Sequence, residues 1–339
     1  MAEALHTKYR PKTFDEVISQ DSVVKILKRQ IETKRFSHCY LFCGQSGGGK
    51  TTCAKILANE INNHCGSPIE IDAASNSGVE NVRQIVISAS ERSLDSQYKV
   101  YIIDEVQALG IQAWQAFLKC IEEPPEYTIF IFCTTDPQKV PQTIINRCQR
   151  FDIKKAKSSD IKERLAFVCD KEGFENYTDG IDYISRICGG SVRQALSMLE
   201  KCAGYSNDIT SENVAKSLGI YSYDVMFDLI NACIDGNESK VLECVNVAYQ
   251  DGTDMKLFVD QFLSFCLDIN KYALFGTFDL LQLPQSVEDK VKGCVNFDKA
   301  PSYYSYVLDK LLSLKQGLRY DEFPKETVEV SLLKLARCQ

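Results

Sequence analysis

The sequence predicts an α/β domain with a parallel sheet covered by helices on both faces, followed by a small helical domain and a larger helical bundle. Three observations predict it. Short apolar runs alternate with helical-period segments up to about residue 157, the pattern of a parallel sheet with crossover helices. A glycine-rich run at 44–49 lies between one such strand and one such helix. Beyond residue 157 the strand pattern stops and helical periodicity takes over. The expected domains are therefore 1–157, 158–219 and 220–339.

Each element follows from local pattern. A polar entry, Lys8-Tyr9-Arg10-Pro11, precedes a helix carrying Val23, Val24, Ile26, Leu27 and Ile31, for which Asp21 and Ser22 are suitable caps. Tyr40–Cys43 reads as a buried strand and Lys50–Ile61 as a helix. Ile69–Asp72, Lys99–Ile103 and Thr128–Cys133 read as further strands, with helices near Val79–Glu91 and at Ile111–Glu122, the latter stopped by Pro124-Pro125. Four alternations result, and such sheets are buried on both faces. Ser158–Cys169, Asp179–Cys188 and Ser191–Cys202 read as helices. Gly189-Gly190 separates the last two, and Ser191 is placed to cap the third. The remainder reads as helices over Val225–Cys233, Ser239–Ala248, Leu257–Ala273, Tyr304–Leu318 and Thr327–Ala336, with Pro284 and Pro301 between helices.

Composition narrows the function classes. Of 339 residues, 45% are hydrophobic and 25% charged, enough apolar surface to exclude disorder as the dominant state. The net charge of −7 argues against coating nucleic acid by bulk positive charge, while leaving local binding open. Residues 1–60 hold ten basic and six acidic side chains, and residues 211–339 hold thirteen and nineteen, so the two ends should face different partners. The fifteen cysteines, from Cys39 to Cys338, contain no C-x-x-C pair and read as free thiols in a reducing compartment. Met1–Arg10 is polar, and no apolar stretch nears the roughly 20 residues a membrane span needs. A cytoplasmic protein with no membrane partner is expected.

Gly44-Gln45-Ser46-Gly47-Gly48-Gly49-Lys50-Thr51 fits G-x-x-x-x-G-K-[ST] at every defined position. Glycines let backbone N–H groups turn toward phosphate oxygens, and the helix that follows points its positive end at the same anion. Lys50 would meet the β- and γ-phosphates, and the Thr51 hydroxyl would ligate Mg²⁺. About 50 residues on, the strand Val100–Ile103 ends in Asp104-Glu105. Asp104 belongs beside the Mg²⁺ and Glu105 is placed to polarise an attacking water. The next strand ends in Thr134-Thr135-Asp136-Pro137, where a hydroxyl can reach the γ-phosphate or hold the water. Taken singly, these elements also read as a flexible glycine loop, a solvated acidic turn and an Asp-Pro turn.

With Asn146-Arg147-Cys148 added, the ordered set resembles that of AAA+ ATPases. Among them the chain resembles the bacterial DNA polymerase III gamma/tau family of sliding-clamp-loader ATPases. Lys8–Pro11 with Phe14, Val17 and Gln20, Tyr40–Phe42, Ile71–Asn76 with Val79, Thr134–Lys139 and Gly190–Leu196 carry the resemblance. It runs from about residue 5 to the end and weakens beyond 220. It implies an AAA+ domain, a helical lid and a helical collar. It implies ATP between Gly44–Gly49, Lys50, Thr51 and Thr52, with Tyr9, Arg10, Pro11 and Val17 on the adenine side. Arg193 matches a lid arginine sensing the γ-phosphate, Thr135 a strand-end sensor, and Arg147 a finger reaching a neighbouring subunit's ATP. The implied partners are delta- and delta-prime-like loader subunits, further copies through the collar, a sliding clamp and primer-template DNA.

The sequence departs from that family at three places. Asn62–Ser67 retains one Cys and one His where the family carries four zinc-binding cysteines, and two ligands cannot close a tetrahedral site, so no zinc is expected. The chain ends after the collar region, so a short gamma-like form without the tau extension is expected. Asn146 replaces the usual Ser. Other readings are a branch-migration AAA+ motor, a replication factor C small-subunit-like component, a non-catalytic delta-prime-like subunit and a metabolite kinase. Intact Lys50-Thr51 and Asp104-Glu105 disfavour the third, and two helical domains disfavour the last.

Overall fold

The computed structural model describes residues 3–219, 223–250, 252–278, 280–283, 287–297 and 300–337. Pro284 and Cys338 lie outside them. The chain divides into two units, one of Met1–Leu165 with Cys188–Ser197 and one of Ala166–Ile187 with Met198–Gln339.

The first unit is built on five strands: β1 (Cys39–Cys43), β2 (Ile69–Asp72), β3 (Lys99–Asp104), β4 (Thr128–Thr134) and β5 (Gln149–Asp152). Their order is β2-β3-β4-β1-β5, and every neighbouring pair is parallel. Helices α1 (Leu5–Lys8), α2 (Asp21–Thr33), α3 (Lys50–Ile61), α4 (Val79–Ala89), α5 (Ile111–Glu122) and α6 (Gln142–Ile145) also belong to it, and α7 (Ser158–Glu172) begins within it. The period of two along β1 sorts its side chains between two cores. Cys39, Leu41 and Cys43 join Phe130, Phe132, Trp114 and Phe117 on one face. Tyr40 and Phe42 join Ile131, Phe151 and the α3 residues Cys53, Ile56 and Leu57 on the other. All of β1 and β4 is buried, as expected of strands covered on both faces.

Two expectations need correction. Among the described residues there are five strands, not four. Gln149-Arg150-Phe151-Asp152 has one apolar residue, so its sequence carries no strand pattern. It becomes an edge strand because β1 supplies a hydrogen-bonding neighbour and Phe151 stacks on Phe42 at 5.5 Å. Asp21 and Ser22 do not cap α2: Asp21 is its first residue, and Gln20 occupies the cap without a side-chain bond. Buried Gln20 instead pairs with the backbone of Lys154, donating to its carbonyl at 2.8 Å and accepting its N–H at 3.1 Å.

The second unit is helical: α8 (Thr178–Ile187), the later part of α9 (Val192–Tyr205), α10 (Ser211–Leu218), α11 (Tyr223–Ile234), α12 (Glu238–Gln250), α13 (Met255–Phe275), α14 (Glu288–Cys294), α15 (Ala300–Gly317) and α16 (Pro324–Arg337). One apolar cluster joins Phe227, Leu229, Val245, Phe258, Phe262, Tyr304, Leu311 and Leu332 across α11–α16. Helices α10 and α14 are short and escape periodicity analysis. Pro301 lies inside the first turn of α15, not between helices, where its missing N–H has no helical partner to lose. Ser191 caps α9 as expected, its Oγ accepting the Gln194 N–H at 3.3 Å. Among the described residues fourteen cysteines are free thiols, and no helix is long and apolar enough to cross a membrane.

Candidate nucleotide site

The parallel arrangement brings the carboxyl ends of β1, β3 and β4 side by side, where such sheets place ligands. From β1 the chain turns through Gly44–Gly49 into α3. Gly47 and Gly49 adopt φ of 72° and 104°, a region glycine enters without steric cost. A Cβ on Gly47 would stand 2.1 Å from the Ser191 Oγ, so Ser191 and its neighbours close over the loop. Lys50 is buried to 5% exposure and donates to the carbonyls of Gly44 at 2.9 Å and Gln45 at 3.0 Å. The Thr51 hydroxyl donates to Asp104 Oδ2 at 2.6 Å, tying α3 to the end of β3.

Glu105 leaves β3 with φ of 52°, an uncommon region for a residue with a Cβ. Its backbone N–H donates to Asp104 Oδ1 at 2.9 Å, and its Oε2 accepts from Thr135 Oγ1 at 3.2 Å and from Gln107 Nε2. Behind the pair, Cys133 is wholly buried and its thiol is pushed well above the ordinary range, first by burial and then by the Asp104 carboxylate.

These groups border a cavity of about 270 Å³ within the first unit. Ser46–Thr52, Asp104 and Glu105 line one part, and His6, Thr7, Tyr9, Arg10, Pro11, Glu16, Val17, Ile18, Arg164, Val192, Arg193 and Leu196 line the rest. Arg10 Nε donates to Thr52 Oγ1 at 3.2 Å. Arg164 donates to the Tyr9 carbonyl at 2.7 Å. Burial lowers the Arg164 pKa, and Glu16 opposes that shift. His6 Nδ1 is buried there without a hydrogen-bond partner among the described residues, a polar atom that a ligand can satisfy. A glycine-lined turn with no room for a Cβ at Gly47, a buried lysine and two hard oxygen donors suit a nucleotide triphosphate with Mg²⁺.

Most residues expected at the site therefore meet around one cavity. Thr135 joins through Glu105. Gly44 and Gln45 lie behind the loop, holding Lys50. Arg147 lies outside the cavity lining, paired with Glu122 at 2.6 Å and donating to the Thr143 carbonyl at 2.8 Å. Sequence reasoning missed His6, Glu16, Arg164 and Gln107. Arg164 meets Tyr9 across 155 positions, which no local pattern reveals. Gln107, two residues beyond the Asp-Glu pair, was open to suspicion on spacing alone. His64 and Cys65 of the shortened segment lie in the turn after α3, with His64 3.4 Å from Glu60. Among the described residues no group of three or more His, Cys, Asp or Glu is disposed to hold a metal.

Comparison with known proteins adds lineage. Residues 63–157 match the family described as DNA polymerase III, delta subunit. Residues 209–338 match DNA polymerase III subunits gamma and tau domain III. The chain is 35% identical to the DNA polymerase III subunit tau of Bacillus subtilis over 99% of its own length and 63% of that protein's. It is 31% identical to subunit gamma/tau of Mycoplasma genitalium over 91% and 55%. Its match to subunit gamma of Buchnera aphidicola, at 28% identity, covers 98% of both chains. The chain thus spans less than two thirds of the first two relatives. Among solved structures, Thermotoga maritima RuvB superposes with a TM-score of 0.54 at 19% identity, covering 73% of this chain and 86% of that one, a likeness of fold alone. The match to domain III and the relatives aligned along nearly its whole length show that the chain belongs to the DNA polymerase III gamma/tau family.

Proposed function

We propose that this chain is an ATPase subunit of a DNA sliding-clamp loader, organised as an AAA+ domain over 1–157, a lid over 158–219 and a collar over 220–339. The observation that carries the reading is the convergence of Lys50, Thr51, Asp104, Glu105 and Arg193 on one cavity of the first unit. Lys50 and the loop N–H groups bind the triphosphate, Tyr9, Arg10, Pro11 and Val17 flank the base, and Arg193 reaches the γ-phosphate. Thr51 and Asp104 would hold Mg²⁺, which when bound neutralises charge on the β- and γ-oxygens. Glu105 takes a proton from water as the water oxygen bonds to the γ-phosphorus and the bond to the β–γ bridging oxygen breaks. Thr135 holds Glu105, and Arg147, outside the cavity, serves the nucleotide of a neighbouring subunit. The partners are delta- and delta-prime-like subunits, further copies through the collar, a sliding clamp and primer-template DNA read by backbone charge and shape. Binding opens the clamp and hydrolysis releases it on DNA, in the cytoplasm.

The test is steady-state ATPase activity, alone and with a sliding clamp, the other loader subunits and primed DNA. Strong stimulation by the full set is expected. Lys50→Ala should abolish nucleotide binding or turnover. Arg147→Ala should keep binding and lower turnover about tenfold or more, in the assembled complex alone. Nucleotide binding without turnover in any combination would overturn the reading.

A further inference from the structure

The 3₁₀ turn Val106–Ala108 folds the chain back after the Asp-Glu pair and brings Gln107 between the ends of β3 and β4. All of its amide is engaged on the site side. Its Nε2 donates to Glu105 Oε2 and to Thr135 Oγ1 at 2.8 Å. Its Oε1 accepts the Thr134 hydroxyl at 2.7 Å and the Thr135 N–H at 3.3 Å. Thr134 is fully buried, so this anchor belongs to the rigid end of a central strand. A glutamine is the side chain that can do both tasks: one end gives hydrogens to a carboxylate and a hydroxyl, the other accepts two.

We infer that Gln107 is the positioning residue for hydrolysis, fixing Glu105 and Thr135 as one unit on the end of β4. The inference rests on the ATPase reading above. Both donors to the carboxylate, Gln107 Nε2 and Thr135 Oγ1, fall on the same oxygen, Oε2. Two bonds on one oxygen restrain the carboxylate's rotation, and on this inference Oε1 accepts the water proton. It also explains how Glu105 is held at a positive φ: the side chain is clamped at its far end while its N–H is clamped to Asp104. A carboxylate left to rotate spends less time aligned with the water, and misplacement of this kind costs rate without costing affinity.

The experiment compares Gln107→Ala and Gln107→Glu with the parent protein in the assembled, clamp- and DNA-stimulated reaction, with ATP affinity measured separately. Gln107→Glu keeps size and acceptors while removing the donor, which controls for packing. Both variants should lower kcat about ten- to a hundredfold, with KM and ATP affinity changed less than about twofold. In a Glu105→Gln background, Gln107→Ala should add less than about twofold, because residues acting as a unit are not additive. An unchanged kcat, a loss confined to KM, or an equal further loss in the Glu105→Gln background would each overturn the inference. A parent complex that binds ATP without turning it over overturns the ATPase reading and this inference together, whereas normal parent turnover with an indifferent Gln107→Ala overturns this inference alone.

Discussion

The first unit buries Lys50, Thr134, Gln20, Asn62 and Thr128, and the second buries Asp268, Asn270 and Ser185. In the first, two of these stand where the site forms, Lys50 at the start of α3 and Thr134 at the end of β4. Lys50 rests on carbonyls of its own loop and Thr134 on Gln107. In the second, Asp268 is satisfied locally, by Lys271 at 2.8 Å and the Gln282 N–H at 2.7 Å, and closes a helix against a loop. The difference separates polar burial that prepares a ligand site from polar burial that completes packing. Glycine divides in the same way. Gly47 needs its positive φ within a loop facing the cavity. Gly180, inside α8, instead lets the backbone of Ile209 approach, for a Cβ there would stand 1.9 Å from the Ile209 carbonyl oxygen.

The comparison can be broken by substitution. The largest stability effect is expected from Phe262→Ala, which empties a site at the centre of the helical core and should cost about 3–5 kcal/mol. Denaturant unfolding followed by far-UV circular dichroism reads it, and ATP affinity of the folded protein should not change. If affinity falls with stability, the helical core is not merely packing.

Next come the two glycines. Gly180→Ala forces backbone apart and should destabilise by about 1–3 kcal/mol with nucleotide affinity intact. Gly47→Ala should do the reverse, lowering ATP affinity about tenfold or more, since roughly 1–2 kcal/mol of backbone penalty falls on the binding loop. Equal behaviour of the two in calorimetric melting and nucleotide titration would erase the distinction. The smallest effect is expected at Thr210, whose hydroxyl caps α10 by accepting the Asn213 N–H at 3.2 Å. Thr210→Ala should cost about 1 kcal/mol, seen as a small fall in Tm, and a loss above about 3 kcal/mol would mean that α10 holds more than its own end.

The limits of sequence reading follow from range. Helices α3 and α5 begin where local pattern puts them because Gly49 and Gly110 precede them, and Pro124 stops the second just beyond its end. Strand β5 and helices α10 and α14 were illegible, since one apolar residue or two short turns leave no periodicity to detect. At the site, Gly44–Thr51 and Asp104-Glu105 were legible because phosphate chemistry fixes residue type and spacing along the chain. Arg164 was not, because its partner is an N-terminal carbonyl.

The sequence by itself determined the α/β-then-helical order, the phosphate loop and the acidic strand end, because each is encoded by neighbours within about ten residues. The tertiary structure alone decided which face each strand residue serves, which buried polar groups meet, and that Gln107 joins Glu105 to Thr134 and Thr135. Those pairings cross about 30 residues and depend on strand order, β3 beside β4. Strand order is set by the whole sheet burying both faces at once, a condition that no single segment carries.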